Sequence, residues 1–198
     1  MNTIAVLLVT VFVCCLSTML VEHIYKRLGV KATPIATKKV YLMVGIPGSG
    51  KSTWVANNIS ENGLRDTDYD IVSRDVIRHE LGYTDKDEKR ALTFDKEREV
   101  TVEFDKRLDE AIHNGKGYLY VDNTNLKAKY RKALVRKLAG HADVTYVLMY
   151  TSFEVCCERR SGMVSEDVMR SMQNTFECNR DELVKECEKY GLNIINCV

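Results

Sequence analysis

The clearest chemistry in the chain lies in Gly45-Ile46-Pro47-Gly48-Ser49-Gly50-Lys51-Ser52, a glycine, four variable positions and then Gly-Lys-Ser. Each residue type has a physical task. Glycines let successive backbone amides turn toward an anion, and a helix that starts at the end of the loop adds the positive end of its dipole. The Lys51 ammonium can reach the β- and γ-phosphates of a nucleotide, and the Ser52 hydroxyl is a hard oxygen donor suited to Mg2+. Gly45, Ile46, Pro47, Gly48, Ser49, Gly50, Lys51, Ser52 and Thr53 are therefore the expected ATP contacts, with Ser52 the expected metal ligand. Loops of this kind serve kinases, GTPases and motors alike, so this one names a ligand and leaves the reaction to its neighbours.

Three further segments bear on the reaction. An apolar run ends in Ser73-Arg74-Asp75, followed by Val76-Ile77-Arg78, which sets Asp75 and Arg78 one helical turn apart. Phosphoryl transfer to an alcohol needs a carboxylate to orient the hydroxyl and accept its proton. It also gains from a guanidinium that holds a neighbouring phosphate. Asp75 and Arg78 fit those tasks, with Arg74 beside them; the plainer alternative is that Asp75 only caps a helix and Arg78 is a surface charge.

Farther on, Tyr118-Leu119-Tyr120-Val121 leads into Asp122-Asn123-Thr124-Asn125, which are expected on the substrate side. Asp122 is expected either to hold Arg78 or to position magnesium, with a simple Asx turn as the alternative. Glu158-Arg159-Arg160-Ser161-Gly162 then ends a helix with two arginines and a glycine hinge. That pattern suits a lid bringing Arg159 or Arg160 onto the transferring phosphoryl group and excluding water, although arginines at a helix C-terminus also serve its dipole.

The elements that must position these residues are legible from periodicity. Apolar, β-prone runs at 40–44, 69–72, 118–121, 144–149 and, weakly, 193–195 read as buried strands. Helical patterns at 50–59, 76–81, 86–114, 127–139, 153–160 and 165–190 with breaks separate them, with Ser165 the expected cap of the last. Alternation of this kind predicts an α/β fold, a parallel sheet with helices on both faces and right-handed crossovers. With the glycine loop at 45–52 and the arginine-ended helix at 153–160, the expected architecture is a P-loop NTPase with a helical lid. No internal repeat or low-complexity stretch interrupts it.

Ahead of this domain, residues 4–21 contain no charge, and at about 1.5 Å per residue they reach roughly 27 Å, nearly a bilayer's hydrocarbon core. The expected organisation is a transmembrane anchor at 1–25, a basic linker at 26–38 and a kinase domain at 39–198. No Lys or Arg precedes the run and Cys14-Cys15-Leu16-Ser17 is a poor cleavage site, which argues against a cleaved signal peptide. Basic residues follow the run, so the positive-inside rule predicts a single-pass protein with its domain in the cytoplasm.

Net charge is +1, from 29 basic and 28 acidic residues, and residues 39–198 hold 25 basic and 27 acidic. A chain-wide basic field is excluded, so any polynucleotide contact must be local. Seven cysteines show no Cys-x-x-Cys spacing and no histidine at finger-like distance. Neither a zinc site nor a redox pair is indicated, and they read as reduced thiols.

Between about Val40 and Phe176 the chain resembles the kinase domain of bacteriophage-type polynucleotide kinases, within the wider group of P-loop kinases that carry a lid. The likeness rests on residues 45–54, on Arg74-Asp75 with Arg78, on Asp122-Asn123-Thr124-Asn125-Leu126 and on Asp167-Val168-Met169-Arg170-Ser171-Met172, in that order. The resemblance implies transfer of the ATP γ-phosphoryl group to a 5′-hydroxyl end of DNA or RNA. In it Asp75 is the general base, Arg78 the contact to the acceptor's phosphate, Lys51 and Ser52 the groups on ATP and Mg2+, and the lid arginine lies near Arg160.

Between Arg160 and Ser165 the lid segment is shorter than that family's. With no Asp-x-Asp-x-Thr motif, a 3′-phosphatase activity is not expected. A kinase of the same fold acting on a small-molecule alcohol or an aminoacyl-tRNA is the competing expectation, and a tethered nucleotide switch without acceptor chemistry is a third.

Overall fold

The computed structural model describes residues 37–83, 93–138, 140 and 142–198. The expected anchor, the linker as far as residue 36, and residues 86–92 of the expected long helix lie outside the described residues. Among the described residues no helix is long and apolar enough to cross a membrane.

Five strands, β1 (Lys38–Val44), β2 (Tyr69–Val72), β3 (Tyr118–Val121), β4 (Ala142–Met149) and β5 (Asn193–Cys197), form one parallel sheet in the order β2-β3-β1-β4-β5. The central three are near-continuous apolar runs, as strands covered on both faces require. Side chains alternate across β1: Val40, Leu42 and Val44 enter one core cluster, while Met43, with Tyr41 against it, enters the other. β1 begins at Lys38, one residue before the expected boundary. Its buried ammonium donates to the Ala111 carbonyl at 2.5 Å and to Asn114 Oδ1 at 3.1 Å, which ties the strand's start to a helix end.

Among the described residues seven helices join the strands: α1 (Lys51–Glu61), α2 (Arg74–Glu80), α3 (Phe94–His113), α4 (Ala128–Leu138), α5 (Phe153–Arg159), α6 (Glu166–Cys178) and α7 (Arg180–Tyr190). Their two-sided arrangement follows from strand order. The crossover from β1 to β2 runs one way across the sheet and every later crossover runs the other way. A constant right hand therefore puts α1 on one face and the rest on the opposite face. The cores agree: Val55 of α1 joins Met43, Tyr120 and Val147, whereas Ile77, Phe104, Val135, Phe176 and Leu183 from the other helices join the larger cluster. Chain direction reverses at β1, and the crevice beyond its carboxyl end is where ligands enter open sheets of this kind.

One local expectation changes and another gains a definite place. Ser165 stands at the cap position of α6, but its hydroxyl makes no capping bond; the side-chain cap belongs instead to Ser152 of α5, which accepts from the Val155 amide at 3.4 Å. The break expected within 165–190 falls at Asn179, which closes α6 and opens α7.

Candidate active site

At the carboxyl end of β1 the chain turns through the glycine loop into α1. Gly48 has φ +80° and Gly50 φ +90°, left-handed conformations that side chains disfavour. Gly48 is also sterically fixed, since a Cβ there would come within 2.7 Å of the Cys156 carbonyl oxygen and 3.2 Å of Arg160 Cγ. The loop can therefore lie flat against α5 only if this residue is glycine.

Lys51 is only 9% exposed and donates to the Ile46 carbonyl at 2.8 Å. Burial pushes its ammonium down to about 8; Asp122 and Asp75 pull the other way and Arg160 adds to the fall. Ser49 Oγ is buried and has no hydrogen-bond partner among the described residues. Ser52 Oγ donates to Asp122 Oδ2 at 2.6 Å.

That last contact corrects one of the two expectations for Asp122. Its partner is Ser52 and not Arg78, because β3 lies directly beside β1, with Val121 in register with Leu42, so β3 delivers its exit carboxylate to the phosphate loop. A serine hydroxyl and a carboxylate oxygen side by side are a hard-oxygen donor pair of the kind Mg2+ takes, through waters where needed. Together with the buried lysine and the orphaned Ser49 hydroxyl, they fit a nucleotide polyphosphate and its magnesium.

Thr124 and Asn125 work on the loop's own architecture. The Thr124 carbonyl accepts from the Gly45 amide at 3.1 Å. Asn125, at φ +46°, donates through Nδ2 to the Met43 carbonyl at 2.7 Å, so its amide braces β1 instead of facing an acceptor.

Asp75 and Arg78 stand across the cleft on α2. Arg78 Nη1 donates to Asp75 Oδ1 at 2.6 Å, and its Nε and Nη2 meet Glu97 Oε1 and Oε2 of α3 at 3.0 and 3.3 Å. Arg74 donates its backbone amide to Asn123 Oδ1 at 2.9 Å. Its guanidinium lies 3.1 Å from Thr101 Oγ1, 3.7 Å from Glu97 Oε2 and 5.1 Å from the centre of the Phe104 ring. Glu97 thus braces two arginines that are four residues apart on one helix and would otherwise repel each other.

Nothing in the spacing of the first half of the chain singled out Glu97. The signal available was periodicity: Glu97, Thr101 and Phe104 share a helical face, and buried Phe104 turns that face inward.

On the lid side Arg159 Nη1 donates to the Gly48 carbonyl at 3.0 Å, fastening α5 to the loop. Arg160 caps α5; its stem packs on Gly48 and its guanidinium meets Met163 Sδ at 3.8 Å. One open cleft of about 890 Å³ is lined by Lys51, Ser52, Asp75, Arg78, Asp122 and both lid arginines, among others. The expected donor-side, acceptor-side and lid residues therefore meet in one place.

The sequence profile of the AAA domain family matches residues 40–185, most of the described chain. This chain belongs to the AAA domain family. Within it, the phosphate loop and the parallel strand order make this AAA domain a P-loop α/β domain. No curated protein sequence matches it.

Solved structures share its fold, two of them at low sequence identity. One is a chain of the Pnkp1/Rnl/Hen1 complex, 20% identical with a TM-score of 0.54, covering 68% of this chain and 43% of its own. The other is a gluconokinase from Sinorhizobium meliloti 1021, 18% identical with a TM-score of 0.52, covering 82% of this chain and 84% of its own. This AAA domain spans less than half the length of the first of them.

Proposed function

We propose that this AAA domain is an ATP-dependent polynucleotide 5′-hydroxyl kinase. The observation that carries the reading is the acceptor arm opposite the phosphate loop, where Asp75 projects beside the Arg74–Glu97–Arg78 brace. A 5′-hydroxyl end presents an alcohol next to a phosphodiester, and this arm offers a carboxylate for the first and guanidinium groups for the second. The likeness to a chain of the Pnkp1/Rnl/Hen1 complex accords with it.

ATP bound with magnesium supplies the γ-phosphoryl group and spreads its developing charge. Lys51 neutralises the phosphates from inside the loop, while Ser52 and Asp122 hold the metal side. Asp75 is 77% exposed and engaged by Arg78 through one oxygen only, which leaves its other oxygen to orient the acceptor hydroxyl and take its proton. Arg78, and Arg74 beside it, hold the adjacent phosphate. Arg159 keeps the lid helix on the loop, and Arg160, whose guanidinium carries no carboxylate or carbonyl partner among the described residues, turns to the transferring group. The apolar run at 4–21 holds the domain at the cytoplasmic side of a membrane in this reading; alkaline extraction of membranes carrying the full chain tests that, release into the soluble fraction contradicting it.

A second reading, a small-molecule or aminoacyl-tRNA kinase, draws on the likeness to a gluconokinase along most of both chains and on the acidic excess of residues 39–198. Transfer of labelled phosphate from ATP by the full-length chain separates the two. Labelling of 5′-hydroxyl DNA or RNA that Lys51→Ala and Asp75→Asn both sharply reduce is expected. Labelling of gluconate or another small alcohol, with no labelled oligonucleotide, would overturn the polynucleotide reading.

A further inference from the structure

The domain is slightly acidic, yet residues 123–142 contain six lysines and arginines and no aspartate or glutamate. Most of this stretch is α4, and its charges divide into two sets. Arg131 is buried against Glu186, Lys132 pairs with Glu182, and Lys137 with Asp109. Lys127, Lys129 and Arg136 are exposed, and no ion pair among the described residues reaches them. Tyr130, 59% exposed, stands among them.

Local stability does not account for this placement. Lysines at and just before the first turn of a helix face the positive end of its dipole, and the first turn of α4 holds no acidic residue to offset them. Packing does not need them either, since α4 buries Arg131, Val135 and Leu138 on its other side.

Location gives the patch its direction. α4 leaves the carboxyl end of β3, the edge where Asp122 meets Ser52 and Asn123 holds the amide of Arg74. Lys127 follows Asn123 by four residues, a reach of at most about 14 Å. From there Lys129 and Arg136, seven residues apart and so on one face, run about 10 Å along the helix away from the cleft. Cations spaced along a line with an exposed aromatic ring are the chemistry that binds a single-stranded phosphodiester backbone and stacks one of its bases.

We infer that Lys127, just ahead of α4, together with the exposed Lys129, Tyr130 and Arg136 on it, forms a docking track for the nucleic acid strand whose 5′ end occupies the cleft. The inference rests on the polynucleotide reading for what lies in the cleft, and it explains how a domain without overall positive charge grips a polyanion. It also makes the enzyme sensitive to acceptor length, because a dinucleotide is too short to reach the track.

The test uses the full-length chain and the triple variant Lys127→Ala/Lys129→Ala/Arg136→Ala. Binding of a labelled oligonucleotide of about twelve nucleotides is read by fluorescence anisotropy over a salt series, and KM for phosphorylation is compared between that acceptor and a dinucleotide. In the triple variant the affinity for the longer strand is expected to fall about tenfold or more, and the slope of log affinity against log salt by about two. KM for the dinucleotide, ATP binding and the unfolding transition should hold.

Unchanged affinity and slope for the longer strand would overturn the track while leaving the kinase reading in place. A wild-type chain that binds the strand through these residues but phosphorylates no oligonucleotide would refute the kinase reading and keep the track. If the substitutions spare strand binding and instead weaken salt-sensitive attachment to phosphatidylserine vesicles, the face belongs to a membrane surface and the track is wrong.

Discussion

Arg131 and Arg78 each meet a glutamate through two guanidinium nitrogens, yet one pair is sealed in the core and the other lines an open cleft. Arg131 and Glu186 are 0% and 2% exposed, and every polar atom is used: Nε and Nη2 go to the carboxylate, Nη1 to the carbonyls of Asn125 and Leu126, and Tyr146 donates to Glu186 at 3.1 Å. This network joins α4, α7 and β4 to the loop that carries Asp122, so it holds the site's frame from behind. Arg78 and Glu97 are 28% and 38% exposed, and Arg78 is shared with a still more exposed Asp75. Water screens that cluster and a ligand can reach it. Where charge is buried and saturated it fixes geometry; where it is half-open it is available to an incoming anion.

The contrast is sharpest in stability. Glu186→Ala leaves a buried guanidinium unpaired and should cost about 3–5 kcal/mol in denaturant unfolding. The double change Arg131→Met/Glu186→Leu should recover much of that loss, and a single change as mild as the double one would break the distinction. Arg78→Ala should do the reverse. It should lower stability by less than about 1 kcal/mol, while kcat/KM for a 5′-hydroxyl oligonucleotide falls about 10- to 100-fold.

Glu97→Gln keeps the shape and removes the charge that braces Arg74 and Arg78, so a loss of about tenfold is expected, mostly in acceptor KM, with ATP binding unaffected. An equal loss in ATP affinity would mean that Glu97 serves the fold at large.

The smallest effect concerns Lys51 and pH. Its folded-state value near 8 lies below the ordinary 10.5, so between those limits the unfolded chain holds the extra proton and the nucleotide-free domain gains stability as pH rises. ATP affinity should move oppositely, because the neutral lysine no longer attracts phosphate. Titration calorimetry should show roughly a fourfold weakening from pH 7 to 8.5, and Lys51→Ala should flatten it.

Much of this site was legible in the sequence because its parts sit where strands end. Residues 45–53, Asp75 with Arg78, and Asp122 each follow an apolar run, and a parallel sheet gathers such exits on one edge. The central strands could be read because they are buried on both faces and hence continuously apolar. The edge strands β2 and β5 leave Ile71, Ile194 and Ile195 exposed, so the expected burial of 69–72 and 193–195 does not hold throughout.

Long-range partners were not legible. Glu97 looks like any acid on a charged helix, and Arg131 looks like any cation on a basic one; only the packing of α3 on α2 and of α4 on α7 gives them their roles. For Asp122 the sequence leaves open both holding Arg78 and positioning magnesium, because it does not state which strands are neighbours; pairing of β3 with β1 brings Asp122 to Ser52 and away from Arg78. Asn125 is expected on the substrate side, but a polar residue after a strand can turn either way, and its left-handed backbone turns its amide back onto β1.

Single-turnover transfer from labelled ATP to a 5′-hydroxyl oligonucleotide by Asp75→Asn tests the central claim, that α2 presents the acceptor's base to a nucleotide held by the loop. Transfer should slow by about 10²- to 10⁴-fold while ATP still binds. Transfer at the wild-type rate would contradict it and return Asp75 to being the first-turn acid of a helix.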